Sequence, residues 1–309
     1  AVSTLLLLIV LIALFMGYRL AGSGQSENQN RLNNKHDYLT QISQHDKTDR
    51  TAPNIVFILY DDMGYGDVGA GAEDSLMIAT PNINTLAADG VVLTDFYSPA
   101  PVCTPSRAGY LTGRLAARAG LPNVVFPSGG AKGFLFNALL TPKANIRLPA
   151  EEITLAELLS AAGYATGMVG KWHLGDRSPS LPNDMGFDSY FGALYSNDMQ
   201  PFALYANRDI AAEAPVDQRF LTERYTQAAT NFIQQHAEEP FFLYFAHNFP
   251  HAPLSTRPER SGTSRAGLYG DVLEEIDDSI GAIVAALERT ENLDNTLIII
   301  TSDNGPWFL

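Results

Sequence analysis

The sequence predicts an α/β domain with a mostly parallel central sheet sandwiched by helices. Short, continuous apolar runs bounded by turn residues recur at Asn54–Tyr60, Ala165–Val169, Phe241–Ala246 and Thr296–Thr301. They are rich in Ile, Val, Phe and Tyr, as strands covered on both faces are. Helix-period patterns lie between them, and strands alternating with helices build such a sheet. The chain has 309 residues, 46% of them hydrophobic, with a mean hydropathy of -0.04. That supports one large core and excludes a disordered chain or a polytopic membrane protein.

In chain order, Leu5–Met16 is an unbroken apolar run with no charge before Arg19. It is short for a spanning helix of ~20 residues and fits a signal peptide or signal anchor over residues 1–22. A membrane anchor would run through residues 1–18. Leu20-Ala21-Gly22-Ser23 supplies small residues for cleavage. Residues 23–52, rich in Gln, Asn, Ser, Asp and Lys, read as a polar, solvated linker carrying His36 and His45. The domain then spans 53–309, outside the cytoplasm: periplasmic, extracellular or membrane-anchored.

Within it, Ile153, Ala156, Leu158, Leu159 and Ala162 repeat at helix spacing between Glu151-Glu152 and Gly163. Leu221 to Ala237 is a second helix, with His236 at its end. Val272, Ile276, Ile280, Ile283, Val284 and Leu287 stripe a third, whose Asp271, Glu274, Glu275, Asp277 and Asp278 read as its wet face. Leu297–Thr301 reads as a buried strand, and a chain stopping eight residues later reads as a fragment.

Lys and Arg number 20 against 34 Asp and Glu, a net charge of -14. A nucleic-acid groove needs the opposite sign. An anionic ester needs local positive charge, for example a metal ion. The strands lead into Asp61-Asp62, Lys171 and His173, His247 and His251, and Ser302-Asp303-Asn304-Gly305. Each alone is more often a turn, cap or surface residue, and His247 reads as a strand cap. Together they stand at the carboxyl ends of the strands, where α/β sheets bind ligands. Three carboxylates and an amide are hard oxygen donors, suited to Ca2+ or Mg2+ rather than Zn2+. The single cysteine, Cys103, allows no internal disulfide. Pro105 places it at a helix N-terminus, which favours a bound anion, with the Arg107 fork one turn on. A small buried residue and a thiol nucleophile are the other readings of Cys103.

Cys103-Thr104-Pro105-Ser106-Arg107, continuing to Leu111-Thr112-Gly113, resembles the Cys-x-Pro-Ser-Arg signature of type I sulfatases, in the alkaline-phosphatase superfamily. Asp61-Asp62, Thr80-Pro81-Asn82, Gly170–Gly175, Pro250-His251-Ala252-Pro253 and Ser302–Pro306 resemble that family's other blocks, in order. Tyr195–Asp198 and Gly270-Asp271 are similar to its arylsulfatase A and galactosamine-6-sulfatase branch. The resemblance implies sulfate-ester hydrolysis with Cys103 converted to formylglycine by a maturation enzyme. It implies Ca2+, with Mg2+ less suited, on Asp61, Asp62, Asp303 and Asn304. Arg107 would hold the nucleophile, Lys171 and Ser196 would bind sulfate, His251 would protonate the leaving alcohol and His173 would act as base. A sulfated sugar or aryl sulfate is the implied substrate. The family's further lysine beyond the Asp-Asn-Gly block and its small C-terminal domain have no match here. A phosphonate or phosphodiester hydrolase of the superfamily and an inactive anion-binding fragment are the alternatives.

Overall fold

The computed structural model describes residues 9–13, 15, 28–44, 52–69, 77–129, 133, 135–137, 139 and 145–307. In order, its elements are α1 (Gln29–Ser43), β1 (Asn54–Tyr60), α2 (Pro81–Asp89), α3 (Cys103–Thr112), α4 (Leu155–Ala161), β2 (Ala165–Gly170) and β3 (Ser189–Gly192). There follow β4 (Leu204–Ala206), β5 (Asp209–Ala212), α5 (Leu221–Gln235), β6 (Phe241–Ala246), α6 (Gly267–Arg289) and β7 (Thr296–Ser302). Among the described residues the sheet runs β5-β4-β3-β2-β6-β1-β7. β3, β2, β6, β1 and β7 are parallel, and β4 and β5 add an antiparallel margin.

Strand periodicity divides the core into two layers. Val56, Ile58 and Tyr60 of β1 face Ile233 of α5 and Ile276, Ile280 and Ile283 of α6. Phe57 and Leu59 face the other way, with Ala108 and Leu111 of α3 and Ala156 of α4. The expected α/β sandwich is therefore present, with a mixed rather than wholly parallel sheet.

Three expectations change. Among the described residues β7 pairs with β1 alone and forms a sheet margin. It is half-buried, with Leu297 53% exposed; an apolar run reads alike at a margin and in a sheet's centre. The acidic residues of α6 are only in part a wet face: Asp278 is exposed and Glu274 half-buried, but Asp271, Glu275 and Asp277 are buried. Asp277 accepts from the Asn82 and Ile83 amides at 3.0 and 2.9 Å, capping the start of α2. Asp271 accepts from the amides of Gly262, Thr263 and Ser264. Glu275 holds Arg257 Nε at 2.8 Å.

The polar stretch 23–52 contains the third change. Residues 29–43 form α1, with no buried residue, docked by its charges. Lys35 Nζ donates to the carbonyls of Ala150 and Glu152, both at 2.7 Å. Arg31 pairs with Glu152, which is 1% exposed and also held by Arg114 at 2.6 Å. His36 is exposed; His45, like half of the apolar run Leu5–Met16, lies outside the described residues. No helix among the described residues is long and apolar enough to cross a membrane.

Candidate active site and metal centre

Parallel pairing brings the strand ends to one edge. Tyr60 pairs with Ser302, Leu59 with Ala246, and Ala246 with Gly170. The residues that follow, Asp61, Asp303, His247 and Lys171, therefore emerge together. Asp303 N–H donates to Tyr60 O at 3.0 Å and Lys171 N–H to Ala246 O at 2.7 Å. Gly170 has φ +111°, and a Cβ there would stand 1.9 Å from Ala246 O, so only glycine lets the chain turn from β2 into Lys171–His173. Asp62 and His173 adopt φ +68° and +59°. Non-glycine residues occupy that region at a cost that clusters at functional sites. α3 begins at Cys103 and ends on Gly113 in the left-handed conformation.

Asp61, Asp303, Arg107 and Lys171 are fully buried. Lys171 Nζ donates to Asp61 Oδ2 at 2.6 Å and to Ser196 Oγ at 3.1 Å. Arg107 Nε donates to Asp303 Oδ2 at 2.9 Å, and its NH1 to Lys171 O at 2.6 Å. Cys103 Sγ lies 3.4 Å from Asp61 Oδ1. Burial raises the Asp61 carboxyl, but Lys171, Arg107 and His251 overcome it and hold it well below the usual range. Burial and the Asp61 charge push Asp303 up to about 7 and raise Asp62 as well. Burial and the same carboxylate push the Cys103 thiol up, so the unmodified side chain stays a thiol rather than a thiolate.

These donors fit a hard divalent cation. One ligand atom from each of Asp61, Asp62, Cys103 and Asp303 lies within 4.8 Å of all the others. Asn304 Nδ2 donates to Asp62 Oδ1 at 2.6 Å, leaving its Oδ1 buried without a hydrogen-bond partner. Crowded carboxylates and an orphaned amide oxygen are what a cation would satisfy.

The sulfatase family matches residues 53–308. The chain belongs to the sulfatase family. It is 41% identical over 270 residues to N-acetylgalactosamine-6-sulfatase of Mus musculus, covering 82% of this chain and 50% of that protein. It is 37% identical to arylsulfatase A of Homo sapiens, covering 82% of this chain and 52% of that one. The chain thus spans about half the length of the curated relatives it matches. Among solved structures, Ps i-CgsB in complex with k-i-k-neocarrahexaose superposes with a TM-score of 0.71 at 31% identity, over 82% of this chain and 59% of that one. The PsFucS1 sulfatase of Pseudoalteromonas sp. follows at 0.70 and 27%, over 87% and 59%. A phosphonate monoester hydrolase of Agrobacterium radiobacter, TM-score 0.56 and 16% identical over 83% of this chain and 64% of that one, shares the fold.

The rest of the expected site gathers around Lys171. Ser196 Oγ lies 3.3 Å from His251 Nε2, which stands 3.7 Å from Asp62 Oδ2. His251 is the most open of the set, its side chain 18% exposed. His173 is buried, its Nε2 3.0 Å from Val125 O and its Nδ1 without a partner. A carbonyl only accepts, so Nε2 carries the hydrogen and Nδ1 keeps a lone pair. Burial, with Lys171 and Arg107 nearby, holds His173 neutral by pushing its pKa well below 6.5. All ten predicted site residues thus come together.

Two supporting positions went unread in the sequence. Thr104 Oγ1 donates to His173 O at 3.1 Å and accepts from Val125 N at 3.2 Å, tying α3 to the loop that orients His173. Val125 acts through its carbonyl, which no side-chain pattern reveals. Asn197 Nδ2 donates to Pro253 O at 3.0 Å and to His251 O at 3.4 Å, steadying the His251 loop. Its place beside Ser196 was the available signal.

Proposed function

We propose that this protein hydrolyses sulfate esters of sugars or aryl alcohols, with Cys103 converted to formylglycine by a maturation enzyme and Ca2+ held by Asp61, Asp62, Asp303 and Asn304. The observation that carries this reading is Cys103 at the start of α3, set among buried carboxylates with Arg107 and Lys171 alongside. When present, hydrated formylglycine supplies a hydroxyl nucleophile and the cation neutralises sulfate charge.

The chain's own residues do the rest. Arg107 fixes Asp303 and the floor of the site. Lys171 Nζ, bridging Asp61 and Ser196, presents positive charge to a sulfate oxygen. Ser196 Oγ offers a further hydrogen bond. His251, at the open side, donates the proton that the leaving alkoxide needs. His173 Nδ1, the free lone pair, accepts a proton on the opposite side. The buried setting excludes water and strengthens each of these interactions.

The names of the relatives support a sulfated sugar as substrate. The apolar run at Leu5–Met16 supports an exported protein, with residues 1–22 a signal peptide or anchor, 23–52 a connecting segment bearing α1, and 53–309 the catalytic domain. Peptide mass spectrometry across residues 98–114, on protein expressed through its own export route, is expected to show formylglycine at position 103. The same preparation is expected to cleave nitrophenyl sulfate faster than a nitrophenyl phosphate diester. An unmodified thiol with sulfate binding but no cleavage, or a faster phosphate diester, overturns the proposal.

A further inference from the structure

His247 lies within the site yet has no part in the chemistry above. It is 1% exposed and ringed by Tyr225, Phe245 and Phe249, with centroids 5.4 to 6.0 Å away. Its backbone N–H donates to Leu59 O at 2.9 Å, continuing the β1–β6 ladder past the end of β6. The next ladder bond runs the other way, from Asp61 N–H to Phe249 O at 3.3 Å. Phe249's own N–H takes no part in that ladder. It donates instead to His247 Nδ1 at 2.9 Å. A side chain accepting from the amide two residues on is the bond that Asn and Asp make in Asx turns. Here an imidazole makes it. Burial holds the ring neutral, with its pKa down at about 3, so that Nδ1 keeps its lone pair at ordinary pH.

We infer that His247 is a positioning residue. Through Nδ1 it sets the 247–251 turn, which presents the Phe249 carbonyl to the Asp61 amide and carries His251 to Ser196 and Asp62. One ring nitrogen therefore orients both a carboxylate of the cluster and the histidine on its open side. The inference deepens the sulfatase reading and rests on it for the importance of Asp61 and His251, but its test needs no turnover.

The test is residue-resolved amide hydrogen exchange on the 309-residue chain, comparing wild type with His247→Asn, His247→Gln and His247→Leu. Asn places an acceptor oxygen where Nδ1 stands; Gln places its polar end near Nε2; Leu offers neither. Exchange at Asp61 is expected to rise about tenfold or more in the Gln and Leu variants, as local opening of the turn frees the amide. In the Asn variant it is expected to stay near wild type. Amides within β1, such as Val56 and Ile58, are expected to remain protected throughout. Unchanged Asp61 exchange in Gln and Leu, failure of Asn to rescue, or equal loosening of all β1 overturns the inference. If Leu does not fold, the Asn and Gln pair still decides. Absence of sulfatase turnover in wild type would defeat the proposed function and leave the exchange result standing.

Discussion

Lowering the pH from about 7 to about 5.5 is expected to weaken binding of the proposed Ca2+ about 15-fold. Burial and the neighbouring Asp61 charge push Asp303 up to about 7, and Asp62 is raised in the same way. A carboxyl must lose its proton to ligate a metal, and Asp303, about half ionised at pH 7, is only about 3% ionised at pH 5.5, a loss of about 15-fold for one displaced proton. At about 1.36 kcal/mol per tenfold, that amounts to about 1.6 kcal/mol. The sign is fixed by linkage. A raised carboxyl keeps in the fold a proton that the unfolded chain has already lost. Its contribution to metal-free stability is fully present below 3.8 and is lost as the pH rises through about 7. Bound Ca2+ replaces that proton, so stabilisation by the ion grows over the same interval. Calorimetric titration of Ca2+ into metal-free protein at both pH values gives the affinities, and denaturant unfolding with and without Ca2+ gives the stabilities. The difference made by Ca2+ cancels groups that the ion does not touch, such as His247. Equal affinities at the two pH values would refute the reasoning. Asp303→Asn is expected to lower affinity at pH 7 and to flatten its pH dependence.

Lys171→Met leaves Asp61 buried with Arg107 as its nearest full charge, and is expected to destabilise the metal-free protein by about 3–5 kcal/mol. An unchanged denaturant midpoint would contradict this. Asp277→Ala removes the acceptor for the Asn82 and Ile83 amides and is expected to cost about 2 kcal/mol, measured as a lower Tm. Arg31→Ala with Lys35→Ala is expected to release α1, seen as faster chymotrypsin cleavage at the half-exposed Tyr38. Global stability is expected to fall by about 1–3 kcal/mol, because Arg114 still holds the buried Glu152 while Glu157 and the carbonyls of Ala150 and Glu152 lose Lys35.

The strands were legible because β1, β2 and β6 are buried on both faces and so read as unbroken apolar runs. α6 was legible because its stripe keeps helical period over many turns. What escaped notice depends on tertiary partners. Nothing in Leu297–Thr301 distinguishes a margin strand from a central one. Asp271, Glu275 and Asp277 look like solvated charges until loops supply amides for them to cap. α1 has no apolar stripe, and only the acceptors at residues 150–157 give Arg31 and Lys35 a place to dock. The short strands β3, β4 and β5 carry too few residues for either period to emerge. At the site the pattern is reversed. Asp61, Asp62, Lys171, His173, His251, Asp303 and Asn304 were visible because parallel strands must deliver their ends to one edge, Cys103 and Arg107 through the motif at a helix start, and Ser196 only through the family resemblance. The groups that aim them, Val125 O for His173 and the Asn304 amide orientation, belong to backbone or rotamer and leave no trace in residue type.

Charge balance explains how an acidic protein would hold the anionic ester of the proposed function. Three buried carboxylates, Asp61, Asp62 and Asp303, face two buried cations, Arg107 and Lys171. When all are ionised, the cluster carries one net negative charge and repels sulfate. The fold relieves this without a metal by keeping a proton on Asp303 up to about pH 7. A divalent ion among the same oxygens reverses the sign to one net positive charge, in a site from which water is largely excluded. The orphaned Asn304 Oδ1 adds a neutral donor that ligates without restoring negative charge. Under the proposed function the same five side chains would carry no net positive charge without the ion and one with it, so sulfate affinity and Ca2+ affinity are expected to rise and fall together.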